Sequence, residues 1–190
     1  MMATYHKMVE AGARLPTDNG IDVVRGVMDA IVNPHDVYRE ISFAALSLDG
    51  RGVAWYGDFS VSLKEEALSR KASVFEENPY TFCDRYGVSV TKPLPPGYRA
   101  PWPRRAELAM AKLHPKIQPG MSAVDFPAVL MEQGATSATS DFIEVHTYGP
   151  IHPKAVARVI AKPPTNGAEA VIWKKLKKRL IELGVEVEEV

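Results

Sequence analysis

Cysteine occurs once in the 190 residues, at Cys83, so no intramolecular disulfide can brace the fold and a reducing compartment is expected. The single thiol is expected to be a small buried side chain. Charge of one sign is missing too. Lys plus Arg and Asp plus Glu are each 23, and a formal charge of zero gives no overall field toward nucleic acid or an acidic membrane. A role with nucleic acid is left undecided, since it would need a local patch. No apolar run reaches the roughly 20 residues of a membrane-spanning helix, and Thr4-Tyr-His-Lys-Met-Val-Glu10 is polar where a signal sequence would be apolar. A cytoplasmic protein without a membrane partner is the expectation. Repeats and low-complexity tracts are also absent.

What is there is enough apolar material, 46% of residues, to close one core, whereas two halves would each be marginal. A single domain over 1–190 is expected, with residues 1–19 as an N-terminal arm. Ile21, Val24, Met28 and Ile31 fall at helical spacing, so a helix is predicted over 20–32, capped by Asp18 or Asn19 and stopped at Asn33-Pro34. Residues 39–47 and 53–63 turn to alternating, β-branched and aromatic residues around Leu48-Asp-Gly-Arg-Gly52, the pattern of a β-hairpin with Gly50 and Gly52 taking positive φ. Residues 64–71 read as a short polar helix or turn, and 72–75 as a strand.

Five prolines between 91 and 103 fix φ and remove donors, which makes this a stiffened proline-rich loop. Pro103 opens a helix to Leu113, and 125–133 makes another before Gly134. Runs 142–148 and 155–161 read as strands joined by a Gly-Pro turn. Asn166 with Glu169 forms a capping box ahead of a helix with Ile172, Leu176, Leu180 and Leu183 on one face, and the lysines of Trp173-Lys-Lys-Leu-Lys-Lys-Arg179 are expected on its solvated side. The sum is an α+β fold: a mixed or antiparallel sheet of short strands packed by three or four helices.

Chemistry concentrates in Asp141-Phe-Ile-Glu-Val-His-Thr-Tyr-Gly-Pro150. Strand alternation puts Glu144 and His146 on one face, and a carboxylate inside an apolar run needs a partner or a purpose. Glu144, His146 and His152, with the distant His114, are competent metal ligands, but no pair has helical ligand spacing, so a metal-dependent enzyme is an alternative rather than the leading reading.

Arg39 in Tyr-Arg-Glu-Ile-Ser-Phe, Ser60-Val-Ser62 and Glu144-Val-His146 followed by Gly149-Pro150 come in an order that resembles the bacterial and phage mono-ADP-ribosyltransferase superfamily, including its toxin branches. The resemblance spans about 39–160. It implies an ADP-ribosyltransferase-like fold and NAD as substrate, with Glu144 and His146 at the catalytic centre and Arg39 on the dinucleotide phosphates. Ser60 would support the carboxylate or the ribose, and Tyr56 or Phe75 would stack on nicotinamide, as Phe59 could. The arginine-directed branch carries Glu-x-Glu, whereas the second position here is His146, so the macromolecular acceptor is left unspecified. The competing class is a non-catalytic structural or partner-binding protein, phage-related or part of a larger particle, using Tyr98 and Trp102 on the proline loop as anchors.

Overall fold

Two short runs far apart in sequence, Ile41–Ala45 (β1) and Glu144–Tyr148 (β7), pair antiparallel at the centre of the protein. The computed structural model describes residues 3–15, 27–33, 37–88, 92, 94–95, 98–136 and 139–190. Along the described chain the helices are Tyr5–Glu10 (α1), 27–32 (α2), Pro79–Tyr86 (α3), Arg105–Leu113 (α4), Phe126–Leu130 (α5) and Gly167–Glu182 (α6). The remaining strands are Phe59–Leu63 (β2), Ala72–Phe75 (β3), Arg99–Pro101 (β4), Met131–Glu132 (β5), Asp141–Phe142 (β6), Val156–Ala161 (β8) and Glu186–Glu189 (β9). The protein is mixed α+β with small sheets. One sheet is antiparallel in the order β1-β7-β3-β4; a second has the order β2-β8-β9, parallel between β8 and β9; β5 and β6 form a two-stranded ribbon.

Alternation along β3 and β7 sends side chains to opposite faces, and both faces of the four-stranded sheet are covered. Ala72, Val74 and Val145 pack with Leu108 and Leu113 of α4, Leu130 of α5 and Trp102. Phe75 points the other way, into Val32, Phe82, Cys83, Val88 and Tyr98. In the three-stranded sheet, Val156, Val159 and Ala161 pack on Trp173 of α6 and on Val185. The α6 cap forms as its sequence implies: Asn166 Oδ1 accepts from Glu169 N at 3.0 Å, and Asn166 Nδ2 donates to Glu169 Oε2 at 2.6 Å.

The structure departs from the sequence reading in several places. No hairpin joins 39–47 to 53–63: β1 pairs with β7 and β2 pairs with β8, in different sheets. The intervening loop is tied to β2 through side chains instead, with Gly52 N donating to Ser60 Oγ at 2.9 Å and Ser62 Oγ donating to Gly50 O at 3.3 Å. Gly50 has φ 76, and a Cβ there would lie 2.8 Å from Ser62 Oγ, so only glycine fits. On α6 the buried residue is Trp173, while Ile172 and Leu176 are exposed. The indole wins that face because it lies against Phe59, 5.2 Å between ring centroids, and donates from Nε1 to Glu189 at 2.7 Å.

The predicted helix over 125–133 is shorter, ending at Leu130 before β5, and Pro103 sits in a 3-10 turn ahead of α4. Of the proline loop, residues 99–101 form an edge strand, a position that tolerates Pro101. Tyr98 and Trp102 are both buried in the two cores, so neither is an exposed anchor. Residues 20–26 of the predicted first helix, and its Asp18, Asn19 and Pro34 boundary signals, lie outside the described residues. In the N-terminal arm, α1 docks on the turn at 37–40, where Thr4 Oγ1 donates to Arg39 O at 2.7 Å and Lys7 Nζ bonds Glu40 at 2.7 Å.

Candidate functional site

The segment 141–148 changes partners at Ile143: Asp141 and Phe142 pair with β5, and Glu144 onward pairs with β1 and β3. Glu144 is therefore the first residue of a central strand, flanked by Ala45 on one side and Phe75 on the other. Its side chain and that of His146 leave the same face and meet, His146 Nε2 to Glu144 Oε1 at 2.8 Å. The second carboxylate oxygen, Oε2, accepts from Asn78 Nδ2 at 3.0 Å. At the other end of the imidazole, Asn33 Nδ2 lies 3.1 Å from His146 Nδ1.

Four polar side chains thus form one chain, Asn33, His146, Glu144, Asn78, inside an apolar setting. His146 is wedged between Phe43, edge-on at 4.8 Å, and Phe75, tilted at 4.2 Å, with its side chain 0% exposed. With the Asn33 amide nitrogen toward Nδ1, the partners assign the ring hydrogen to Nε2, where it is donated to the carboxylate. Asn33 Oδ1 is buried without a partner among the described residues. Each carboxylate oxygen of Glu144 has one partner here, and a carboxylate offers about four acceptor positions, so capacity for further donors remains. Beside it, burial first and the negative charge of Glu144 second push the Tyr98 phenol well above its ordinary range, which keeps the hydroxyl a donor to Glu77 O at 3.3 Å.

Glu144 and Asn78 line a cleft of about 790 Å³ between β1 and β2. Thr147, which leaves the opposite face of β7, lines it as well. Its walls include the aromatic residues Phe43, Trp55, Tyr56 and Phe59, and the charged residues lining it, among those described, are Arg14, Arg51 and Glu144. Arg14 lies 4.8 Å over the Tyr5 ring, and Arg51 reaches Asp49 only at 3.8 Å.

The sequence candidates divide. Glu144, Ser60 and Tyr56 line the cleft. The Ser60 hydroxyl is engaged by Gly52 N rather than by Glu144. His146 touches Glu144 but stands behind it, 1% exposed and outside the cleft wall. Arg39 lies apart from the cleft: it sits on the turn before β1, 3.3 Å from Glu10 Oε1 and 3.3 Å from the Tyr38 hydroxyl, and does not line the cleft. Its place one residue before Glu40 puts it against α1, where it pairs with Glu10. Phe75 is fully buried in the core and outside the cleft lining.

His152 and His114 stay apart from this site. His152 Nδ1 accepts from Lys154 N at 3.1 Å and His114 Nδ1 lies 3.0 Å from Ala111 O, both exposed. Among the described residues no group of three or more His, Cys, Asp or Glu is placed to hold a metal ion, and no helix is long and apolar enough to cross a membrane. Sequence reasoning missed Asn78 and Arg51. Asn78-Pro79 is a helix-start signal that could have been found, whereas Arg51 read only as turn text. No family model, no curated protein and no solved structure matches the chain.

Proposed function

We propose that the protein is an ADP-ribosyltransferase-like enzyme that takes NAD as substrate in the cleft between β1 and β2 and transfers ADP-ribose to an acceptor. The observation that carries this reading is Glu144: one buried carboxylate, held at both oxygens by His146 and Asn78, on the wall of a largely apolar cleft that also carries aromatic rings, hydroxyls and two arginines. That donor set fits the dinucleotide. Exposed Trp55 and Tyr56 offer flat surfaces to its rings, and a guanidinium at the cleft suits its phosphates. Arg51 takes the place that the family resemblance gave to Arg39.

In the reaction the bond between nicotinamide and the ribose C1′ breaks, and nicotinamide leaves as a neutral molecule with the electron pair. Positive charge grows on the sugar as it leaves. Glu144 stabilises that charge, and its remaining acceptor positions hold a ribose hydroxyl. A lone pair of the acceptor forms the new bond to C1′ and the acceptor releases its proton. A protein, a nucleic acid or water would each complete the step.

Incubating the purified protein and a cell lysate with labelled NAD tests the reading. Label on an acceptor or free nicotinamide above background is expected, together with weaker NAD binding by Arg51→Ala and unchanged binding by Arg39→Ala. Neither transfer nor hydrolysis, with no NAD binding, would remove it.

A further inference from the structure

We infer that Asn78 is a positioning residue for Glu144, and that the start of α3 thereby sets the aim of the carboxylate in the cleft; the inference rests on the NAD-using reading of the same site. The orientation of the Asn78 amide is fixed from both ends. Its Oδ1 accepts from Tyr80 N at 2.9 Å as the N-cap of α3, which leaves Nδ2 as the group that meets Glu144 Oε2 at 3.0 Å. An amide held this way presents only donor hydrogens to the carboxylate oxygen and pins it.

The other oxygen of Glu144 is pinned by His146, which is locked between Phe43 and Phe75. Two donors arriving from two elements, α3 and β7 itself, leave the carboxylate no free rotation about its last bond. Ser60 does not share this work: its hydroxyl meets Gly52 N, and the partners of Glu144 are Asn78 and His146. Asn78 lines the cleft beside the carboxylate, and Pro79 at the first helical position keeps the cap in place. The cap and the carboxylate contact are separable by substitution. Serine caps a helix but is too short to reach Glu144, whereas alanine does neither.

The test has a kinetic arm and a thermal arm. Asn78→Ser and Asn78→Ala should both lower kcat for NAD turnover by about 10- to 100-fold, the scale of a misplaced reacting group. Asn78→Ala should lose about 2–4 °C more in Tm than Asn78→Ser, through the missing cap. Activity that follows Tm, with Asn78→Ser close to the parent, would overturn the positioning role and leave Asn78 a helix cap. The thermal arm needs no substrate. Asn78→Asp sets two carboxylates against each other and should lower Tm, and adding Glu144→Gln in that background should restore it by re-forming an amide–carboxylate bond. A double variant no more stable than Asn78→Asp would overturn the contact itself. A parent that neither binds nor turns over NAD would overturn the underlying reading, with the thermal arm still deciding the contact.

Discussion

The four-stranded sheet has helices on both faces, while the three-stranded sheet has α6 on one face and, on the other, the loop 49–52 and a ladder of ion pairs. Polar groups follow that difference. In the three-stranded sheet Arg158 pairs across strands with Glu186 at 3.4 Å and with Glu188, and donates to Asp49 O at 3.2 Å. Those groups are partly wet, and such pairs each contribute little. In the four-stranded sheet Glu144, His146 and Thr147 are buried among rings and aliphatic side chains, where an unpaired polar group costs most. A carboxylate kept in the dry sheet, hydrogen-bonded at both oxygens and on the wall of a cleft, is the group on which the proposed chemistry rests.

The largest effect expected from this contrast is on stability. Phe75→Ala, in the sheet covered twice, should cost about 3–5 kcal/mol, whereas Phe59→Ala, half-exposed on β2 against Trp173, should cost about 1 kcal/mol. Denaturant unfolding of the two variants beside the parent measures both. Equal losses would erase the distinction between the sheets.

A smaller effect, in acid, separates two carboxylates near the same strand. Burial opposes ionisation of Asp141, but hydrogen bonds from Lys112 at 2.5 Å and Lys116 at 2.8 Å outweigh it and hold the carboxyl below its ordinary value. A carboxylate depressed in the folded state adds stability that is complete above its ordinary value, near pH 4, and is lost as pH falls through the folded value. Glu77 runs the other way. Burial raises it despite Arg85 at 2.8 Å, so its ionised form costs stability and the cost is relieved as pH falls through the raised value. Asp141→Asn should therefore flatten the loss of Tm below about pH 4, and Glu77→Gln should flatten the loss of Tm as pH rises through the raised Glu77 value. Superimposable pH profiles for the parent and both variants would contradict these signs.

Local code was legible in the sequence and partner choice was not. The Asn166 cap, β3, β7 and β8 follow from nearest-neighbour chemistry, although the run 142–148 read as one strand is broken at Ile143 and the run 155–161 starts at Val156. So does the shared face of Glu144 and His146, since alternation needs only the strand itself. The pairing of β1 with β7 joins residues about a hundred positions apart, and no turn signal reports such a contact. The Gly50-Arg-Gly52 text suggested a hairpin because it suits a tight turn, yet the serines of β2 use it as a clasp. On α6, the periodicity of Ile172 and Leu176 was real, but the indole of Trp173 filled the buried face. Arg39 was read from its position before a strand. Its partner Glu10, on α1, could be found only from the folded chain.

The most direct measurement is nicotinamide release from NAD by the purified parent and by Glu144→Gln, with Tm recorded for each. Glu144→Gln keeps the shape of the side chain and removes its charge, so turnover should fall by at least about 10²-fold, the order for losing one transition-state electrostatic contact. Its Tm should fall by a few degrees, because the amide nitrogen meets a donor at Asn78 or His146 where an oxygen accepted before, and the assay is run below that Tm. Turnover retained in folded Glu144→Gln would contradict the placement of the chemistry at this carboxylate.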